Sequence, residues 1–215
     1  MNPMFYFLLA LTAVFAAKTQ AGGPIFDTDG DVIFGSTSYY VLPIFWGAGG
    51  GGLTLVPGHG NQCPLFVGQY GSDLKRGIPV RFSNWRSRVT NVPESENLNI
   101  KMDTEPTICP DSLYWWVTPA VMSDFRTFFI TAGPKPEAGE EDSSRSFFQI
   151  IKKTVGQLDA YNIVFCNDHN DCVDVGVNTD QGGVRRLDVG STTPFNVVFE
   201  KTTRTATLSK TMSII

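Results

Sequence analysis

A chain of 215 residues that sets 17 Lys and Arg against 21 Asp and Glu carries a formal charge of -4. This mildly acidic balance excludes a nucleic-acid binder, because phosphate contacts need clustered Lys and Arg that the sequence lacks. A chain of this size hides roughly 70% of its unfolded surface and needs no metal to fold, so one domain is the economical reading.

The chain opens with an apolar run from Met4 to Ala17 that exits through the small residues Thr19 and Ala21. This is the pattern of a signal peptide at residues 1–21, too short to span a bilayer with comfort. The mature chain, residues 22–215, is expected to carry no membrane attachment, since no second apolar stretch approaches membrane length. Next come Asp27, Asp29, Gly30 and Asp31. The glycine falls too early for a calcium loop, and Ser38 stands where a bidentate Glu should close the site. An Asp and Gly-rich turn is expected there.

From Tyr39 onward, short apolar and β-branched runs alternate with Gly, Pro, Asn, Asp and Ser, and long stretches of helical period are absent. The pattern is all-β. Twelve strands are predicted: Tyr39 to Phe45, Leu53 to Val56, Cys63 to Gln69, Val80 to Phe82, Leu98 to Met102, Tyr114 to Thr118, Phe128 to Ala132, Phe147 to Lys152, Tyr161 to Cys166, Asp174 to Val177, Arg185 to Asp188 and Phe195 to Glu200. They divide into three fours, which suits a β-trefoil, while a sandwich fits the strand count equally.

Between the strands, the glycine run from Gly47 to Gly52 has no Lys-Ser or Lys-Thr after it, so it reads as a flexible connection rather than a phosphate cradle. Of the adjacent Trp115 and Trp116, one is expected inward and the other outward or at a strand edge. Pro134 to Arg145 is charged and poor in apolar residues, hence a surface loop. His59 and His169 fall in no nucleophile motif and are expected as solvated loop residues. The tail after Lys201 is rich in Thr and Ser.

Four cysteines, Cys63, Cys109, Cys166 and Cys172, behind a signal peptide imply two disulfides. Three pairings are possible. The short polar stretch between Cys166 and Cys172 favours a local hairpin bridge, which leaves Cys63 for Cys109. With no CxxC pair and two histidines, a zinc site is not expected, and no cofactor or other metal is implied. No Asn-x-Ser or Asn-x-Thr glycosylation site occurs in the mature chain.

An ordered series of motifs spans the mature sequence. It starts with Ile25-Phe26-Asp27-Thr28-Asp29-Gly30-Asp31-Val32-Ile33 and Tyr39-Tyr40-Val41. It continues with Gln62-Cys63-Pro64-Leu65, Leu98-Asn99-Ile100-Lys101, Tyr161-Asn162-Ile163-Val164-Phe165-Cys166 and Arg185-Arg186-Leu187. This series resembles the soybean-trypsin-inhibitor type of plant Kunitz protease inhibitor. The resemblance implies a twelve-stranded β-trefoil with Cys63–Cys109 and Cys166–Cys172 bridges, no catalytic residues, and a protein exported to the apoplast or the vacuole.

It further implies a protease-binding reactive loop between the fourth and fifth strands, at Asn84, Trp85, Arg86, Ser87 and Arg88. Arg86 would be the specificity residue for a trypsin-like serine protease, with Ser87 across the scissile bond. A guanidinium meeting a carboxylate in a desolvated pocket forms charge-assisted hydrogen bonds, and a loop ordered before binding has already lost its entropy. Two departures stand out. Gly35-Ser36-Thr37-Ser38 replaces the turn where many members place an Asn that braces the loop, and the loop is one residue shorter and lacks the proline ahead of its aromatic position. Rival readings are a non-inhibitory relative with a storage, stress or ligand-binding role, and an inhibitor of cysteine or aspartic proteases. A sugar-binding trefoil is set aside because the Gln-x-Trp repeats of such lectins are absent.

Overall fold

The computed structural model describes residues 22–202 apart from 46, 48, 59–62, 85–88, 106, 110–111, 120–127, 138–142, 168–170 and 192. The expected leader, His59, His169 and the Thr-rich tail beyond 202 lie outside the described residues. Within them the fold is all-β, with twelve strands: β1 Tyr39–Pro43, β2 Leu53–Val56, β3 Phe66–Gln69, β4 Val80–Ser83, β5 Asn99–Met102, β6 Tyr114–Pro119, β7 Phe128–Gly133, β8 Phe148–Val155, β9 Leu158–Cys166, β10 Cys172–Thr179, β11 Arg185–Val189 and β12 Asn196–Lys201.

Pairing closes the strands on themselves. β1 pairs with β4 and β12, β4 with β5, β12 with β9 and β9 with β8, while a bridge between Leu98 and Phe148 joins the entry of β5 to β8. The period-2 alternation of strands explains what fills this circuit. Each of its six strands turns two alternate residues inward: Tyr39 and Val41, Val80 and Phe82, Ile100 and Met102, Phe148 and Ile150, Tyr161 and Ile163, Val197 and Phe199, all buried. Aromatic edges meet there, Phe82 against Phe199 at 5.6 Å and Trp115 against Phe148 at 5.5 Å between ring centroids. Each such ring hides about 150–250 Å², so on the order of 4–6 kcal/mol of transfer free energy per ring drives closure.

The other six strands form three hairpins, β2–β3, β6–β7 and β10–β11, whose inner strands β3, β7 and β11 pair with one another over one end of the circuit. Disulfides join Cys63 to Cys109 and Cys166 to Cys172, the latter between residues directly opposite in β10 and β9.

Two expectations are corrected. Trp115 and Trp116 do face opposite ways on β6, yet both are buried. Trp116 donates its indole N–H to the Pro134 carbonyl at 2.8 Å and lies against Gly133, where a Cβ would come 2.6 Å from its ring. The glycine run is no loose connection either. Gly50, Gly51 and Gly52 are buried, Gly51 donates to Tyr70 and Gly52 to Lys75, and the run wraps the buried amide of Gln69. The charged stretch from Pro134, exposed at Pro134, Lys135 and Glu137, ends in a 3₁₀ turn, Ser143–Ser146, closed by the Ser146 hydroxyl donating to the Ser143 carbonyl.

Where β11 crosses β7, the Asp188 carboxyl is buried, with Oδ1 lacking a partner among the described residues. Burial raises its pKa above the ordinary carboxylate value, partly offset by a hydrogen bond from Asn178. A carboxyl raised in the folded state stabilises the fold below its unfolded pKa of about 3.9 and loses that contribution as pH climbs through the higher folded value. Asp188→Asn therefore melts higher than wild type at pH 7, by about 2–4 °C for an effect near 1 kcal/mol in a chain this size. The advantage shrinks toward pH 3 in melts followed by circular dichroism, and a pH-independent loss of stability would contradict this account.

Candidate functional site

The segment expected as a reactive loop leaves the circuit at the end of β4. Ser83 is still paired with Asn99 of β5, and the Asn84 side-chain amide donates to the Asn97 carbonyl at 2.7 Å, which fixes the entry stem. Asn99 is itself held from beneath by donating to the carbonyl and hydroxyl of Ser146. Trp85, Arg86, Ser87 and Arg88 lie outside the described residues.

The exit stem begins at Val89, which packs on the core, and reaches the fully buried Val92. Two passes of the N-terminal segment grip it. Ile25 donates to Val92 at 3.1 Å, Val92 to Ile33 at 2.9 Å, Gly35 to Thr90 at 3.2 Å and Glu94 to Gly23 at 2.8 Å, while Phe34 bridges Asn91. The gripping segment is anchored in turn. Asp27 Oδ1 accepts from the amides of Asp29 and Asp31, closing the Asp and Gly-rich turn, with Gly30 at φ 83°. Two tyrosines whose rings are buried in the core, Tyr161 and Tyr39, accept from the amides of Phe26 and Phe34.

Gly35 stands between the two stems. A Cβ there would lie 2.6 Å from the Val89 carbonyl oxygen and 2.9 Å from that of Phe82. The sequence reading takes the turn at 35–38 as the loss of a side-chain brace, whereas the structure sets the backbone of Gly35 itself against the residues on either side of the loop. Ser38, from the same turn, bonds to Asp103 and accepts from Arg81, whose guanidinium pairs with Asp103 at 3.0 Å at the foot of β4. Beside the stems lies an open cleft of about 450 Å³ bordered by Ser36, Asn84, Tyr114 and Lys135.

Among the described residues, no group of three or more His, Cys, Asp or Glu side chains is placed to hold a metal. What this geometry does is hold a short chain segment by both ends. The N-terminal grip escaped the sequence reading, although the apolar Ile25 and Ile33 on either side of an Asp turn are its trace: both are fully buried.

Comparison with known proteins gives a consistent picture. The family model for legume Kunitz inhibitors, described as trypsin and protease inhibitor, matches residues 25–201. Kunitz trypsin inhibitor 4 of Arabidopsis thaliana is 48% identical over 99% of this chain and 97% of its own length. An endogenous alpha-amylase/subtilisin inhibitor of Triticum aestivum is 33% identical, covering 83% of this chain and 96% of its own. Among solved structures, a rice bifunctional alpha-amylase/subtilisin inhibitor from Oryza sativa superposes with a TM-score of 0.66 at 32% identity over 85% of this chain and 100% of its own. Soybean trypsin inhibitor in complex with porcine pancreatic trypsin gives 0.66 at 25% identity over 84% of this chain and 100% of that one.

Proposed function

Because this chain belongs to the Kunitz family of trypsin and protease inhibitors, whose members are inhibitors and not enzymes, we propose that it blocks a trypsin-like serine protease with the segment Asn84 to Arg88. Arg86 fills the primary pocket, and Ser87 follows the scissile bond. The observation that carries the reading is the anchoring of both stems, Asn84 to Asn97 on one side and Val89 to Val92 under the N-terminal segment on the other. A substrate-like segment inhibits when its ordering entropy is already lost and when its cut ends cannot leave. Here the two ends belong to elements stitched into the core.

The division of twelve strands into a β-trefoil is the architecture we infer. It is supported by the six-strand circuit, the three capping hairpins and the mutual pairing of β3, β7 and β11. The domain is taken as residues 22–215 behind a leader at 1–21, exported to the cell exterior or the vacuole, a reading supported by the apolar leader and by two disulfides suited to an oxidising compartment.

The test is titration of trypsin, chymotrypsin and subtilisin with residues 22–215. Stoichiometric inhibition of trypsin, with weaker action on chymotrypsin, is expected. A folded protein that leaves trypsin untouched while arresting subtilisin would move the assignment toward the activity named in the wheat and rice relatives.

A further inference from the structure

At the end of the fold where the glycine run meets β10 and β11, a second cleft of about 370 Å³ is walled by Pro43, Phe45, Val177, Pro194 and Phe195, with Arg185 in its lining. The volume lies within the ordinary range for small-molecule sites, about 300–1,000 Å³. The guanidinium is held on one side only. Its Nε and Nη2 both donate to Gln69 Oε1, at 3.0 and 2.7 Å, and Nη2 also reaches the Gly49 carbonyl at 3.2 Å. The Gln69 amide is fully committed, since its Nε2 donates to the carbonyls of Gly49 and Gly51 at 2.8 Å each.

Glycine is required for this cradle: Gly50 sits at φ 81°, and a Cβ on it would approach the Tyr70 carbonyl to 2.7 Å. The neighbouring Arg186 shows what Arg185 lacks. Arg186 is paired with Asp180 at 2.5 Å, which holds that carboxyl below its usual range. Among the described residues Arg185 meets no carboxylate, and its hydrogen bonds run through Nε and Nη2 alone. A preorganised guanidinium with a free face matches a carboxylate in shape and charge, and the apolar walls match a flat hydrocarbon body.

The geometry points to a binding site for a small aromatic monocarboxylate, with its acid on Arg185 and its ring between Phe45 and Phe195. The cleft shares no residue with the stems of the protease-binding segment, so this inference stands apart from the inhibitory reading.

The experiment is NMR titration of residues 22–215 with trans-cinnamate, following the Arg185 Nε–H and the backbone amides of Phe45 and Phe195. Saturable shifts with a Kd below about 1 mM are expected, and the neutral trans-cinnamamide binds at least about tenfold more weakly. Arg185→Gln should weaken cinnamate by a similar factor. Since Arg185 also holds Gln69, the exposed cleft residue Thr193 supplies a second variant, Thr193→Trp, which fills the cleft and abolishes the shifts. Equal binding of acid and amide, equal binding of inorganic sulfate, undiminished binding to Thr193→Trp, or no shifts up to about 5 mM cinnamate would each overturn the assignment.

Discussion

Arg86→Ala weakens trypsin inhibition by at least about thirtyfold, the equivalent of about 2 kcal/mol, while the protein melts at the wild-type temperature. The size follows from where such a residue acts. Interfaces concentrate their free energy in a few central Arg, Trp and Tyr side chains in desolvated pockets, and truncating the Arg leaves the protease's own carboxylate buried without a partner. Arg86→Lys, which keeps the charge and gives up the planar fork, retains inhibition at an intermediate level. Inhibition constants for trypsin, measured beside thermal melts, decide the matter. If Arg88→Ala rather than Arg86→Ala abolishes inhibition, the register is shifted by two residues; if neither matters, the segment is not the inhibitory element.

Gly35→Ala lowers stability by about 1–3 kcal/mol and weakens trypsin inhibition along with it, for one steric reason. The added methyl would stand 2.6 and 2.9 Å from the carbonyl oxygens of Val89 and Phe82. Neither is the tip of a flexible side chain: Phe82 belongs to β4, and Val89 opens the gripped exit stem and packs on the core. Relief must come from moving a stem, which loosens the segment that has to be ordered before binding. Gly71→Ala is the control, because a methyl there meets nothing within 4 Å. Loss of stability without loss of inhibition would show that Gly35 matters to the fold alone.

The short β-branched runs made all twelve strands legible, because a strand with one face in the core writes its period directly into sequence. The outer half of the β8–β9 hairpin beyond Lys152 was not, since Lys153 and Thr154 are exposed there and only the turn at Gly156 marks the reversal. Trp116 was misjudged because its cover comes from Pro134, a residue in the loop beyond the partner strand. The role of Gly35 could not be read at all: a missing side chain looks like a lost contact until the backbone it admits is seen. The Gln69 and Arg185 network was hidden similarly, because 116 positions separate the two residues in sequence. The assignment of Arg86 and its neighbours rests on family resemblance and not on local chemistry, and residues 85–88 lie outside the described residues.

The seam between β1 and β12 has a consequence for how the molecule comes into being. Five residue pairs, from Tyr39 opposite Lys201 to Pro43 opposite Val197, join nearly the two ends of the described chain. During synthesis the first strand waits, with one edge unpaired, for almost the entire polypeptide to emerge from the ribosome. Closure of such distant partners is slow, and an open edge meanwhile invites pairing with a neighbouring chain. The last strand of the described residues completes the circuit, so a premature stop before Asn196 leaves a polypeptide with most of its core residues and no means of sealing them from water.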